Sequence, residues 1–91
     1  MLELPAEISF DNAEDVKQRG RDYISKLEGE IQFDVSAIAQ ANSLAVAVFS
    51  AWHRTASLQD KSIVFVNLSQ ELRNIIALSG LDEVICVSPA H

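Results

Sequence analysis

The chain has 91 residues, 48% of them hydrophobic, and a formal net charge of −6 at pH 7. That length fits one small domain spanning residues 1–91, with a modest core. The apolar content excludes a disordered chain, and the acidic balance argues against nucleic acid or an anionic membrane as partner while suiting a basic protein surface.

Leu2 to Phe10 alternates loosely, with Leu2, Leu4, Ala6, Ile8 and Phe10 on one side. That is strand periodicity. Pro5 lacks a donor, so this is an edge strand or a strand with a break. Asn12 is placed to cap a first helix, with Glu14 in the first turn and Asp15 completing a near capping box. Ala13, Val16, Tyr23, Ile24 and Leu27 repeat at helical spacing, and Gly20 lies on the same face. A glycine there either permits close packing on the sheet or leaves a notch. Gly29 is expected to end the helix after Lys26.

Ile31, Phe33 and Val35 alternate with polar residues and predict a second strand. A second helix follows over Ala41–Ala56. Asn42 is its expected N-cap, and Leu44, Ala45, Val48, Phe49 and Trp52 form one broad apolar face. Ser43, Ala47, Ser50 and Arg54 form a narrow stripe of small and polar residues, which lets another surface come close. Ile63 to Val66 is continuously apolar, as a strand covered on both faces would be. Asn67 to Ser69 turns into a third helix that buries Leu72, Ile75, Ile76 and Leu78, and Ser79-Gly80 stops it. Val84 to Val87 predicts a last strand, and Ser88 to His91 a frayed tail. The alternation calls for an α/β fold with a mixed, mostly parallel sheet of four or five strands and three helices.

The chemistry of an enzyme is hard to assemble from these residues. None of Gly20, Gly29 and Gly80 begins a phosphate-cradling loop. His53 has no metal-ligating neighbour at ligand spacing and is expected at a rim near the helix C-terminus. Some 15 Å of helix separates it from Ser43, so the two cannot form a nucleophile–base pair. The carboxylates Glu14, Asp15, Asp60, Glu71, Asp82 and Glu83 fall at caps and loops. No catalytic, cofactor-binding or metal-ligating residue is expected. The start of the chain lacks the basic segment and apolar core of a secretion signal, and no run reaches the length of a membrane span. Cys86 is alone, and a buried thiol in a reducing cytosol is expected.

Three pieces together resemble the STAS family, small domains of sulfate transporters and anti-sigma factor antagonists. Phe33-Asp34-Val35-Ser36 stands where the family has a strand ending hydrophobic-Asp-hydrophobic-Ser. Asn42-Ser43-Leu44-Ala45-Val46 stands where it reads Asp-Ser/Thr-Ser/Gly-Gly-Leu and begins a helix. Leu78-Ser79-Gly80-Leu81-Asp82-Glu83-Val84-Ile85 is similar to the end of its third helix and the following strand. The resemblance implies a STAS-like fold.

Two kinds of member are relevant. One is the MlaB-type STAS subunit of the Mla lipid-asymmetry ABC transporter, which this chain's length resembles most. It implies a non-catalytic cytoplasmic protein, held at the inner membrane by an MlaF-like ATPase within a complex with permease and lipid-binding subunits. No nucleic acid and no direct membrane insertion are implied. The partner-binding residues would be Asn42, Ser43, Ala47, Ser50 and Arg54. The alternative is an antagonist phosphorylated by a kinase at Ser43, which matches the family's phosphoacceptor position. Asn42 in place of Asp, and Leu44-Ala45 in place of the small pair, depart from the kinase-readable pattern.

Overall fold

The fold is assembled on its second helix, which contacts the first helix, the second strand and the third helix. The structure, a computed structural model, describes residue 2 and residues 4–80. Its elements are α1 (Ala13–Lys26), β1 (Glu30–Asp34), α2 (Ser43–Leu58), β2 (Ser62–Val66) and α3 (Gln70–Leu78). The expected last strand, Cys86, the tail and most of the third STAS-like piece lie outside the described residues.

β1 and β2 pair in parallel, with Ile31 opposite Ile63 and Phe33 opposite Phe65. A parallel pair needs a crossover, and α2 supplies it. Along each strand the buried side chains alternate with more exposed ones. Ile31, Phe33, Ile63 and Phe65 therefore share one face, against which α2 packs. The ring of Trp52 stacks on Phe33 with centroids 4.7 Å apart. Phe49 meets Phe65 at 4.6 Å, and Tyr23 of α1 stands edge-on to Phe33 at 5.4 Å. Val48, Phe49 and Trp52 are all buried, as their spacing predicts. β2 is not equally covered on both faces: Val64 and Val66 are half-buried.

Several local expectations are corrected. Among the described residues the sheet has two strands. The segment before α1 forms no strand there; it makes one parallel bridge, Glu7 to Gln40, supported by the Ala39 and Gln40 amides donating to the Ala6 carbonyl. Its alternation fails at Phe10, which is 92% exposed while Ile8 is buried. Asn12 makes no side-chain cap, because its backbone is already in the helical region. Its amide turns back instead, accepting from the Ser9 N–H and donating to the Glu7 carbonyl. Gly29 does not end α1: the helix stops at Lys26, and Gly29 supplies the left-handed residue (φ 71°) entering β1. Gly20 packs against Trp52 of α2 rather than on the sheet. Leu78, expected in the core, is 88% exposed. It lies six positions beyond Leu72, which at about 100° per residue puts it about 120° round α3 from that buried side chain.

Candidate functional site

The N-terminal turn of α2 is fixed by one side chain. The Asn42 backbone is extended, and its Oδ1 accepts the Ala45 N–H at 2.8 Å, the bond of an N-cap. Its Nδ2 donates to the Ile8 carbonyl at 3.0 Å. One amide thus starts the helix and ties it to the segment before α1. Between them lies an open cleft lined by residues 7–10 and 42–44. Ser43 lies in that lining and is exposed.

From Ser43 the stripe runs along the outer side of α2. Ser43, Ala47 and Arg54 are exposed and Ser50 is half-buried. Their offsets of four, three and four residues keep them on one face over about 16 Å of helix. The structure therefore brings these four predicted residues together on an open surface. Asn42 stands apart from them in kind. It is half-buried and its amide is engaged within the chain, so its part in the site is positional.

The Phe33-Asp34-Val35-Ser36 piece forms a turn at the carboxyl end of β1. The Ser36 N–H donates to Asp34 Oδ1 at 2.9 Å. That bond, then the Ser36 hydroxyl and the Asn67 side chain, hold the Asp34 carboxyl below its ordinary pKa. Asn67 has φ 62° and follows β2 directly, so Asp34 links the ends of the two strands. The Val35 N–H adds a bond to the Val66 carbonyl at 3.1 Å. These contacts assign Asp34 a structural part.

His53 is half-buried, and its Nδ1 is enclosed with no hydrogen-bond partner. Among the described residues no group of three His, Cys, Asp or Glu could hold a metal ion. The feature that sequence reasoning missed is the segment opposite Ser43. Phe10 lines the same cleft with its ring exposed. A signal existed in the polar pair Asp11-Asn12 directly after it, which marks a turn rather than a strand end.

A family model described as "Mlab, STAS domain" matches residues 1–87. The chain belongs to this STAS family. Comparison with curated protein sequences gives no match. Among solved structures, the chain is similar to a Thermotoga maritima protein described as an anti-sigma factor antagonist. The TM-score is 0.75 at 18% identity, over 89% of this chain and 70% of that one. At that identity the likeness shows the shared fold. The start of α2, capped by Asn42, falls where the sequence resemblance puts the family's motif.

Proposed function

We propose that this STAS chain is a non-catalytic subunit that docks on the ATPase of an ABC transporter for phospholipids, supporting the transport that maintains outer-membrane lipid asymmetry. The observation that carries the reading is the outward stripe of α2, small and polar, beginning at Ser43 on an open face. The family description supports the choice of partner. A net charge of −6 suits a basic surface on that partner. No helix among the described residues is long and apolar enough to cross a membrane. In this reading the subunit works in the cytoplasm and reaches the inner membrane through the complex with permease and lipid-binding subunits.

Co-expression of the chain with the transporter ATPase, followed by measurement of Kd, tests the reading. A negative charge at Ser43 suits the helix N-terminus of the free protein. At a close interface it must be desolvated, which costs several kcal/mol unless a cation meets it. Ser43→Glu should leave Tm unchanged or slightly raised and weaken binding by about two orders of magnitude. Ser50→Trp should weaken it by overfilling the stripe. Asp60→Ala, in the loop beyond α2, should bind as wild type. No measurable binding by the wild-type chain defeats the proposal, and wild-type affinity in both Ser43→Glu and Ser50→Trp shows that the α2 stripe is not the interface.

A second reading rests on the exposed Ser43 hydroxyl and on the fold shared with the Thermotoga protein. In it the chain is an anti-sigma factor antagonist switched by phosphorylation of Ser43. A serine kinase that phosphorylates the chain, and fails on Ser43→Ala, would favour it.

A further inference from the structure

The stripe on α2 is only one wall of the cleft at its N-terminus, and the opposite wall is built to hold an aromatic ring in solvent. Phe10 is 92% exposed, yet its backbone is not a loose end. Ile8 is buried and its carbonyl accepts from Asn42 Nδ2. The Glu7 carbonyl and the Ser9 N–H are both bound by the Asn12 amide, at 2.9 and 2.8 Å. The Ser9 carbonyl accepts from the Asn12 and Ala13 N–H groups. Two asparagines and the start of α1 therefore fix residues 7–12 in a shape that turns Phe10 outward. An exposed phenylalanine costs solvation, and on a backbone already fixed only the ring's own two torsions remain to be ordered when a partner buries it. Aromatic anchors presented from an ordered backbone are what interface hot spots use.

Charge defines what the ring fits. Glu7, in the cleft lining, and Asp11, directly after Phe10, are exposed carboxylates. The ion pairs Lys17–Glu14 and Arg19–Asp15 on α1 do not include them. An apolar anchor between two exposed acids that lie outside those ion pairs matches an apolar socket rimmed by Lys and Arg, and repels an anionic lipid surface.

The geometry points to Phe10 as the aromatic anchor of the docking surface: it enters an apolar socket on the partner ATPase, while Glu7 and Asp11 meet basic side chains around that socket. This rests on the reading of the chain as an ATPase-binding subunit and extends its interface from α2 across the cleft.

The experiment measures binding of the full chain to the co-expressed ATPase by surface plasmon resonance. Phe10→Ala should weaken Kd by about thirtyfold, as loss of a hot-spot residue does. Its Tm should stay at the wild-type value, because the ring contributes no burial to the free fold. Phe10→Trp should retain most of the affinity. Glu7→Lys combined with Asp11→Lys should slow association by about tenfold at low salt and remove most of its salt dependence. If Phe10→Ala binds as wild type while Ser50→Trp does not, the anchor is wrong and the α2 reading stands. If Phe10→Ala, Ser43→Glu and Ser50→Trp all bind as wild type, neither wall of the cleft is the interface and the anchor is wrong; if the wild-type chain itself does not bind, the ATPase reading fails and the anchor with it. Sedimentation of the chain alone, and co-sedimentation with phosphatidylethanolamine–phosphatidylglycerol vesicles, checks the other occupants. Self-association or vesicle binding that Phe10→Ala abolishes overturns the assignment.

Discussion

The indole of Trp52 occupies the space where any side chain on Gly20 would have to go. A Cβ built on Gly20 would overlap the Cε2, Nε1 and Cζ2 atoms of Trp52. The ring cannot easily yield. It is stacked on Phe33 within 7° of parallel, and its Nε1 donates to the Lys17 carbonyl at 3.0 Å. Gly20 is thus the groove in α1 into which the largest residue of α2 sits. Alanine would gain about 1 kcal/mol of helix propensity. Forcing a methyl into a filled core costs about 1–3 kcal/mol, and more where the neighbour is rigid.

Gly20→Ala should therefore be net destabilising by about 2 kcal/mol, the rigid-neighbour end of that cost less the propensity gain, lowering Tm by several degrees for each kcal/mol in a domain of this size. Trp52→Leu ends at Cδ and removes all three overlapping atoms. The double variant should then be more stable than the sum of the two single losses allows, by roughly 1 kcal/mol. Thermal melts followed by circular dichroism check both. Additive losses would show that Gly20 and Trp52 do not share that space.

A second link joins α1 to the start of β2. Lys61 Nζ donates to the Ile24 carbonyl at 2.8 Å. That carbonyl belongs to the last turn of α1, where a positive charge also meets the negative end of the dipole. Lys61→Met keeps the aliphatic stem and removes the charge. It should cost about 1–2 kcal/mol, close to the worth of a charged hydrogen bond. Urea denaturation at neutral pH measures it, and a stability equal to wild type would leave the bond without energetic weight.

α2 was readable in the sequence because two independent signals agree there. Apolar residues recur at helical spacing from Leu44 to Trp52, and an asparagine stands before them. The same agreement is only apparent at Asn12. Asn-x-x-Asp reads identically whether the side chain points forward into the helix or backward into the turn. The backbone angles decide, and residues 7–9 set them through bonds that no local pattern displays. Gly20 was legible as a gap in the α1 face, but its occupant comes from another helix and no spacing announces it. The stripe from Ser43 to Arg54 was legible because exposure on a helix follows from offset alone. Phe10 was not, because one residue of an apparent strand was enough to hide a turn.

Asp34 ties stability to pH. The Ser36 N–H, with the Ser36 hydroxyl and Asn67, depresses its folded pKa below the ordinary value of 3.8. A carboxyl depressed on folding contributes its full stabilisation above the unfolded pKa and loses it as pH falls through the folded one. The window therefore lies below about pH 4. Wild type should exceed Asp34→Asn in stability at pH 7, and the gap should narrow as pH is lowered through that window. Other carboxyls are common to both proteins and cancel in the difference. A gap that is constant from pH 7 to pH 3 would contradict the assignment.

Asn42 carries the last prediction, because both ends of its amide are used. The family reads Asp at this place, and an aspartate would serve the helix well. Its carboxylate would still accept from the Ala45 N–H and would gain about 0.3–1 kcal/mol from the dipole. It could not donate to the Ile8 carbonyl, 3.0 Å from Nδ2 in the present structure. Two oxygens would then face each other in a half-buried place, with one hydrogen bond lost and one acceptor left unmet, at a cost of about 1–3 kcal/mol. Asn42→Asp should therefore leave α2 helical while loosening residues 7–10 and lowering Tm. Amide exchange should quicken at Ser9, whose N–H is held by the Asn12 side chain within that segment. Asn42→Ala, which loses both bonds, should be worse still, since loss of the cap alone costs about 1 kcal/mol. If Asn42→Asp matches wild type in both Tm and Ser9 exchange, the bond to Ile8 does not hold the segment, and the asparagine here is only a cap.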